Sequence, residues 1–302
     1  MTEIKAVPIK DFLSGSIAGI VSVVLGQPLE TVKVRLQSHQ NLYKSSMDCI
    51  NKMYINEGLN SFYKGTLSPL IGISFCFGLS FSANSFSKNY LKKENINKGG
   101  TGQLSMKQYF YCGLFTGLCT SILNCPIEYI RIIMQVQGVK IENSCKLFRK
   151  DYTGSVDCFL KVYKSGGIKG LYAGMTATAL RDVPGGGIYF GLLENLMRRG
   201  EKIYGCKSKM PCYLIMCCGS LAGIISALII FPMDVVKSII QANSGRDEKY
   251  KKVITTIRVI IIEKGYTGFL NGLTPCLMRS LPISAIAYLT FEKSSNYFRH
   301  RL

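Results

Sequence analysis

Acidic and basic side chains recur at a fixed spacing in this sequence of 302 residues. The segments PLETVKVRLQ (28–37), PIEYIRIIMQ (126–135) and PMDVVKSIIQ (232–241) all read proline-x-acid-x-x-base-x-x-x-glutamine. An acid and a base three residues apart lie on one face of a helix, where both can take part in ion pairs. Because each segment directly follows a largely apolar run, these charges would be costly to bury unless they are paired. The pattern therefore predicts ion pairs inside an apolar structure.

The three segments supply four sets of equivalent residues. The prolines are Pro28, Pro126 and Pro232, the acids are Glu30, Glu128 and Asp234, the bases are Lys33, Arg131 and Lys237, and the glutamines are Gln37, Gln135 and Gln241. A proline inside a helix removes a backbone hydrogen bond and kinks the helix. We predict that the prolines kink their helices inward, so that the charged ends of the three helices converge.

The composition favours a membrane protein. The formal net charge is +19, and 47% of the residues are hydrophobic. A soluble nucleic-acid-binding protein could be equally basic, but its basic residues would lie on solvated surfaces. Here many of them interrupt or flank apolar runs of about 20 residues, which is the length that spans a bilayer. We therefore predict contact with anionic membrane lipid and no nucleic-acid partner.

Twelve cysteines and two histidines do not indicate a metal site or a disulfide framework. No CxxC pair is present, and the histidines are His39 and His300, so we predict reduced, largely apolar cysteines and no bound metal. The N-terminal sequence MTEIKAVPIKDF contains acids and lacks the apolar core of a signal peptide. Any targeting signal is therefore expected to be internal.

The acid–base segments belong to a longer repeat. Each is preceded by a GxxxG pattern that starts 13 residues before the proline and would allow close helix packing in lipid. Each is followed by a polar stretch, a glycine and another apolar run. We predict an all-α membrane protein in which three pseudo-symmetric repeats, at 10–95, 104–202 and 209–299, each contain two spans joined by a short linker helix and surround a central cavity. The six spans are predicted at about 11–38, 67–91, 106–137, 175–199, 210–241 and 273–298.

The repeated segment resembles the signature of the mitochondrial carrier family, which continues into acid-Gly-x4-aromatic-base-Gly. Repeat 1 matches the whole signature, through EGLNSFYKG at 57–65, and the resemblance covers about residues 10–298. It implies a multi-pass protein of the mitochondrial inner membrane, with linker helices on the matrix side that bind structural cardiolipin and with no other cofactor. Repeats 2 and 3 depart from the second half of the signature, which weakens the cardiolipin expectation for repeat 3. The departing residues are Gly166, Ala173, Lys264, Leu270 and Asn271.

The resemblance also implies two gates. On the matrix side, the expected pairs are Glu30 with Arg131, Glu128 with Lys237 and Asp234 with Lys33, and the expected braces across them are Gln37, Gln135 and Gln241. The family's outer gate uses an aromatic-acid-x-x-base pattern at the opposite ends of the even-numbered spans. Only Lys88, Glu194 and Glu292 of that pattern are present. We therefore predict a weak or rearranged outer gate, with Arg198 or Lys293 as substitutes for the missing bases.

Substrate-binding residues are predicted near the middle of the membrane. Gly72, Arg181 and Arg279 each lie 13 residues before an outer-gate position, which is about 20 Å along a helix, and they resemble the family's three contact points. An arginine can hold a carboxylate with two hydrogen bonds, and Asp182 can hold an amine or a quaternary ammonium group. We add Gln27 to the predicted site, because this position resembles the ornithine carriers.

Two segments narrow the substrate class. LRDVPGGGIYF (180–190) resembles carnitine/acylcarnitine carriers, and MRSLPISAIAYLTFE (278–292) resembles both these and ornithine carriers. An arginine–aspartate pair at the second contact point also occurs in carriers of glutamate and glycine. We predict a monomeric carrier that exchanges carnitine, acylcarnitine or amino-acid-type zwitterions for a counter-substrate by alternating access.

Three alternatives to this prediction stay open. They are a basic amino acid carrier of the ornithine type, a passive pore or uncoupling-type conductor, and a receptor or scaffold that retains the fold. We do not expect an enzyme, because the sequence has no nucleophile–base constellation and no glycine-rich nucleotide loop.

Overall fold

The computed structural model describes residues 9–39, 42–99, 102–137, 152–205, 210–244, 250 and 252–301. In these residues the regular structure consists of α-helices and short 3-10 turns. The α-helices, numbered along the chain, are α1 (Ile9–Ser38), α2 (Ser46–Glu57), α3 (Leu67–Asn97), α4 (Met106–Val136), α5 (Ser155–Leu171), α6 (Met175–Tyr204), α7 (Cys212–Ala242), α8 (Val253–Lys264) and α9 (Leu273–Arg301).

Six of these helices coincide with the predicted spans. Helices α1, α3, α4, α6, α7 and α9 contain 29 to 31 residues each, a length of about 45 Å that exceeds the hydrocarbon thickness of a bilayer. Within the described residues, three stretches are long and apolar enough to cross a membrane on composition alone: Ile17–Ser38, Met106–Val136 and Tyr213–Ala242. The predicted all-α fold with three helical repeats is confirmed.

The backbone makes the same turn directly after α2, within α5 and directly after α8. At this turn it enters the left-handed region at Gly58 (φ 74°), Gly167 (φ 59°) and Gly265 (φ 66°). A side chain is disfavoured at this φ, so glycine is the residue that allows the turn. The same backbone path therefore leads from each linker helix toward the next span.

Each linker helix packs against the end of the span that precedes it. In repeat 1 the buried contact joins Val32 to Cys49, and in repeat 2 it joins Ile130 to Cys158. Burial raises the pKa of both thiols to about 12. The two cysteines therefore stay protonated at neutral pH and pack as small apolar residues.

Helices α4 and α6 approach each other backbone to backbone. A Cβ atom at Gly117 would collide with the carbonyl oxygen of Asp182. Gly223 is the equivalent glycine of repeat 3, and within the described part of the chain its Cβ position has only Tyr189 Cε2 within 4 Å, at 3.9 Å. The GxxxG pattern of repeat 2 is therefore required by a helix contact, whereas that of repeat 3 leaves room for a methyl group.

This difference predicts opposite results for the same substitution. Gly117→Ala should lower the free energy of unfolding by about 1–3 kcal/mol, because the backbones of α4 and α6 must separate to admit the methyl group. Gly223→Ala should be neutral or slightly stabilising, because alanine favours the helix. Thermal unfolding of the two purified variants in detergent checks this, and equal losses would contradict the assigned packing.

An ion cluster at the end of α1 joins the first two repeats. Arg35, whose side chain is 1% exposed, donates to Glu57 Oε1 at 2.5 Å and Oε2 at 2.9 Å, and its Nε donates to the carbonyl oxygen of Gln135 at 2.9 Å. Lys64 Nζ donates to Glu57 Oε2 at 2.7 Å and to the carbonyl oxygen of Gln137 at 3.4 Å. We call Arg35, Glu57 and Lys64 the strap, because they hold the end of α4 against α1 and α2.

The protonation state of Glu57 controls the strap. Burial alone raises the pKa of this carboxyl group, but hydrogen bonds from Arg35 and Lys64 outweigh burial, so its pKa lies below the usual value. A carboxyl group with a lowered pKa in the folded state stabilises the fold above its unfolded pKa of about 4.3. This contribution is lost as the pH falls through the lower, folded-state pKa.

We therefore expect Glu57→Gln to destabilise the protein at pH 7 and not in acid. The loss at pH 7 should be about 3 kcal/mol, because buried Arg35 would lose its charged partner. The difference between wild type and variant should shrink as the pH is lowered from 5 toward 3, as measured by urea unfolding. Glu94→Gln, which removes only an exposed pair with Lys98, serves as the control and should have little effect at any pH.

Candidate functional site

A cavity of about 480 Å³ lies between the spans. Among the described residues, the wall of the cavity contains hydroxyl, amide and aromatic side chains, namely Ser80, Thr116, Thr120, Asn124, Ser226, Tyr189 and Phe190. Its described charged residues are Glu30, Lys33, Glu128, Arg131, Arg181, Asp182, Asp234 and Arg279. The wall thus combines four acids with four bases, which suits a small polar solute that carries both signs of charge.

Two of the three expected cross-repeat ion pairs are formed. Lys33 Nζ lies 2.6 Å from Asp234 Oδ2 and joins α1 to α7. Lys237 Nζ, whose side chain is 1% exposed, contacts Glu128 Oε2 and joins α7 to α4. The two contacts lie where α1, α4 and α7, the helices that carry the repeated acid–base segment, approach one another. The gating role of these pairs remains a prediction.

The third expected pair, between Glu30 and Arg131, is not formed. Glu30 Oε2 instead lies 3.0 Å from Arg279 Nη2 and forms an ion pair with it. Arg131 Nη2 donates to the side-chain oxygen of Gln27 at 2.9 Å. The sequence prediction failed here because it considered only the repeated charges, whereas Gln27 and Arg279 compete for them.

The predicted contact arginine of repeat 2 is connected to the same ion pairs. Arg181 Nη1 lies 3.1 Å from both Glu128 Oε1 and Asp234 Oδ1, and its Nε lies 2.7 Å from Asp182 Oδ1. The other oxygen of Asp182 accepts from the Asn124 amide at 3.0 Å. Arg181 therefore links the predicted binding site to the predicted gate directly.

The three glutamines do not act alike. Gln37 Nε2 donates to Asp234 Oδ2 at 3.4 Å and so contacts the acid of the Lys33–Asp234 pair, while its own oxygen has no hydrogen-bond partner among the described residues. Gln135 and Gln241 each donate to a threonine hydroxyl at 3.3 Å, and the acceptors are Thr31 and Thr178 respectively. The expectation that these two brace ion pairs is wrong, because a buried threonine of the neighbouring helix offers a nearer partner.

Two other predicted substrate residues are outside the cavity wall. Gly72 is packed against α4, where its Cβ position lies 2.6 Å from Ile127 Cδ1. Gln27 is fully buried and also donates to the carbonyl oxygen of Lys64 at 3.1 Å. Gly72 therefore lets α3 pack against α4 in this structure. Gln27 instead forms hydrogen bonds with Arg131 and Lys64 beside the ion pairs.

The predicted outer-gate residues meet an aromatic ring that the sequence analysis did not single out. Lys88 Nζ lies 5.1 Å from the ring centroid of Tyr109 and 5.8 Å from that of Phe190. Arg198 Cζ lies 5.1 Å from the same Tyr109 centroid, and Arg198 Nε lies 3.3 Å from Glu194 Oε1. These contacts join α3, α4 and α6 at the end opposite the Lys33–Asp234 pair. The side chain of Glu292 lies outside the described residues.

One missed residue left a signal in the sequence. Asn124 precedes Glu128 by four residues in an otherwise apolar stretch of α4, so both lie on the same helix face. An amide at that position, one turn from a charge, indicates a polar cavity. Tyr109 left no comparable signal, because an aromatic residue near the end of a span is common.

The three helical repeats around this charged cavity match a known family model. The model described as mitochondrial carrier protein matches residues 5–95, 102–202 and 208–302. The chain belongs to the mitochondrial carrier family. As a mitochondrial carrier it is a multi-pass transporter of the mitochondrial inner membrane.

Several relatives of this mitochondrial carrier are similar along nearly their whole length. The glutamate/glycine mitochondrial carrier ymc1 of Schizosaccharomyces pombe is 34% identical, over 96% of this chain and 95% of the relative. The mitochondrial glycine transporter YMC1 of Saccharomyces cerevisiae is also 34% identical, over 94% and 90%. The human mitochondrial carnitine/acylcarnitine carrier protein is 30% identical, over 96% and 94%.

The outer end of the mitochondrial carrier gives a test of the Tyr109 contacts. Tyr109→Leu should lower the free energy of unfolding by about 1–2 kcal/mol, because Lys88 and Arg198 both lose a cation–π partner. Tyr109→Phe keeps the ring and should lose less. Tyr111→Leu, at an exposed neighbouring ring, is the control. A loss for Tyr111→Leu as large as that for Tyr109→Leu, measured by thermal unfolding, would contradict the assignment.

Proposed function

We propose that this carrier exchanges small zwitterionic amino acids of the glycine and glutamate type by alternating access. The proposal rests on one observation: within the described part of the cavity, every wall acid already has a basic partner, and two of the bases are arginines at predicted contact points. Relatives named as glutamate/glycine and glycine carriers support the same class.

Arg279 is the proposed receptor for the substrate carboxylate. Its side chain is 33% exposed, so a solute in the cavity can reach the guanidinium group. A guanidinium can bind a carboxylate with two parallel hydrogen bonds, and such charge-assisted bonds are about twice as strong as neutral ones. An amino acid would therefore be oriented by its carboxylate.

Asp182 is the proposed receptor for the ammonium group. One of its oxygens is held by Arg181, while the other, among the described residues, accepts only from the neutral amide of Asn124. An ammonium group can replace this amide and convert a neutral hydrogen bond into a charge-assisted one. The exchange leaves the Arg181–Asp182 pair intact.

The pairing of the acids argues against a basic amino acid such as ornithine. A second ammonium group would need another acid, but Glu30, Glu128 and Asp234 are all bound to lysine or arginine. A second carboxylate, as in glutamate, can instead approach Arg131, a base of the cavity wall whose described hydrogen bond goes to the neutral amide of Gln27.

Carnitine is the second candidate. Tyr189 and Phe190 line the cavity, and their rings lie edge to face with centroids 5.1 Å apart. Aromatic faces bind quaternary ammonium groups through cation–π interactions. The human carnitine/acylcarnitine relative supports this candidate.

Alternating access requires the ion pairs at the converging helix ends to part. Lys33–Asp234 and Lys237–Glu128 close the path beside the cavity, and Arg181 contacts both acids. A substrate that binds Asp182 or Arg181 changes the partners of Arg181. Binding can therefore shift the balance between closed and open gates, provided that the substrate binds the two states with different affinity.

Uptake by purified protein in liposomes tests the proposal. Labelled glycine and glutamate should enter only liposomes that contain an internal amino acid, whereas ornithine should not enter. Uptake of carnitine alone would favour the second candidate. Uptake without any internal substrate would favour a pore, and no uptake of any solute would favour a scaffold.

Arg279→Ala should reduce amino acid exchange by about 10- to 100-fold, because the carboxylate loses its charged partner. Arg258→Ala, which removes an exposed arginine of linker helix α8, is the charge-matched control and should exchange normally. Near-normal exchange by Arg279→Ala, at equal reconstitution, would refute the assigned contact.

A further inference from the structure

The proposed carboxylate receptor already holds a carboxylate of the protein itself. Arg279 Nη2 lies 3.0 Å from Glu30 Oε2, and the Glu30 side chain is 11% exposed. A substrate carboxylate that approaches Arg279 from the cavity therefore meets a guanidinium group whose charge is already paired with Glu30. Because Glu30 is tethered to the same site, its effective concentration there is far higher than that of any free anion.

Glu30 is available to Arg279 because its expected partner is held elsewhere. Arg131 donates to the side-chain oxygen of Gln27 at 2.9 Å. The side-chain nitrogen of Gln27 donates a hydrogen bond to the carbonyl oxygen of Lys64 at 3.1 Å, and the residue is 0% exposed. Its orientation is thus fixed by a backbone group on one side and by the arginine on the other.

The other two repeats provide an internal comparison. The residues equivalent to Gln27, directly before the prolines, are Cys125 and Phe231. Cys125 Sγ lies 3.8 Å from the carbonyl oxygen of Ala173, which is equivalent to the Gln27–Lys64 contact. Phe231 places its ring 5.7 Å from Lys33 Nζ.

A thiol is a weak hydrogen-bond acceptor, and a phenyl ring has no carbonyl oxygen. At the boundaries next to Cys125 and Phe231, the acid–base pairs Glu128–Lys237 and Asp234–Lys33 are formed. At the boundary next to Gln27, the equivalent pair is absent among the described contacts. The residue before the proline therefore differs at the boundary where the pair is missing: only there is it a glutamine, whose amide oxygen accepts from Arg131.

The arginine of the alternative pair lies beside Gly26. A Cβ atom at this position would lie 3.4 Å from both Cδ and Nη1 of Arg279, which is ordinary van der Waals contact. The arginine side chain therefore lies against α1 at Gly26, one turn before Glu30. Gly26 and Gln27 thus contact two different arginines, Arg279 and Arg131.

We propose that Glu30 is a specificity-determining residue, an internal carboxylate that occupies Arg279 in the empty carrier and that a substrate must displace. Gln27 is the positioning residue that keeps Arg131 from taking Glu30. The proposal rests on the proposed function of Arg279 as the carboxylate receptor. The consequence is that a substrate must bind strongly enough to displace Glu30. An anion that offers only a carboxylate, such as acetate, binds too weakly to do so, whereas an amino acid gains the additional ammonium contact with Asp182.

The first experiment needs no substrate. Thermal unfolding of the empty protein is measured for Glu30→Gln, Arg279→Gln and the double variant, and for Glu30→Gln with Arg131→Gln. We expect the losses in Tm to be non-additive for Glu30 with Arg279 and additive for Glu30 with Arg131. The reverse result would overturn the proposal.

A variant that leaves all the charges in place extends this experiment. Gln27→Cys copies the residue of repeat 2 and releases Arg131, so Glu30 and Arg131 should then become coupled. Failure of this coupling to appear in the Gln27→Cys background would refute the positioning role of Gln27, even if some charge variants fold poorly.

The second experiment measures ligand affinity. The Kd values of glycine and acetate are obtained from ligand-dependent shifts in Tm. Glu30→Gln and Gln27→Cys should each lower both Kd values by roughly tenfold, because Arg279 loses its internal ligand. Glu94→Gln removes an acid of α3 that forms an exposed pair with Lys98 outside the cavity wall, and should leave both Kd values unchanged.

The two experiments separate failure of this inference from failure of the proposed function. If wild type binds glycine but Glu30→Gln does not tighten binding, the internal competitor is wrong and the amino acid substrate stands. If no amino acid or acetate stabilises any variant, the proposed substrate is wrong, and the coupling between Glu30 and Arg279 still decides whether the internal pair exists.

Discussion

Unpaired charges are costly inside a membrane protein, and the centre of this carrier is arranged around that cost. Asp234 illustrates the arrangement, because it holds Lys33 of α1 at 2.6 Å and Arg181 of α6 at 3.1 Å. A movement that separates α1 from α7 must therefore offer Lys33 and Asp234 new partners. The buried charges bind the helices together and also restrict the order in which they can part.

The threefold repeat does not produce a threefold ring of ion pairs. Lys33–Asp234 and Lys237–Glu128 follow the repeat, but Glu30 binds Arg279. The deviation begins directly before Pro28, where Arg279 lies against Gly26 and the Gln27 amide holds Arg131. A repeat can thus conserve the backbone while single side chains redistribute the charges, and a binding site gains an asymmetry that a symmetric ring would lack.

The sequence predicted the helices well, because helix length and apolar periodicity are local properties. It also predicted two of the ion pairs, since these depend only on equivalent positions in neighbouring repeats. It missed the partners of Glu30, Gln135 and Gln241, because these depend on which of several nearby groups is closest after packing. Gly72 was misplaced for the same reason: its depth along α3 was predictable, but its rotation toward Ile127 was not.

The strap and the two ion pairs join different pairs of helices. Arg35 and Lys64 fasten the end of α4 to repeat 1, at the boundary where the Glu30–Arg131 pair is missing. Both ion pairs that are formed, Lys33–Asp234 and Lys237–Glu128, involve α7. If these two pairs part, Arg35 and Lys64 still join α1 to α4, whereas α7 stays connected to α4 through Arg181 of α6, which contacts both Glu128 and Asp234. The charges therefore divide this end of the carrier into two helices that are joined directly, α1 and α4, and a third, α7, whose remaining ionic connection runs through α6.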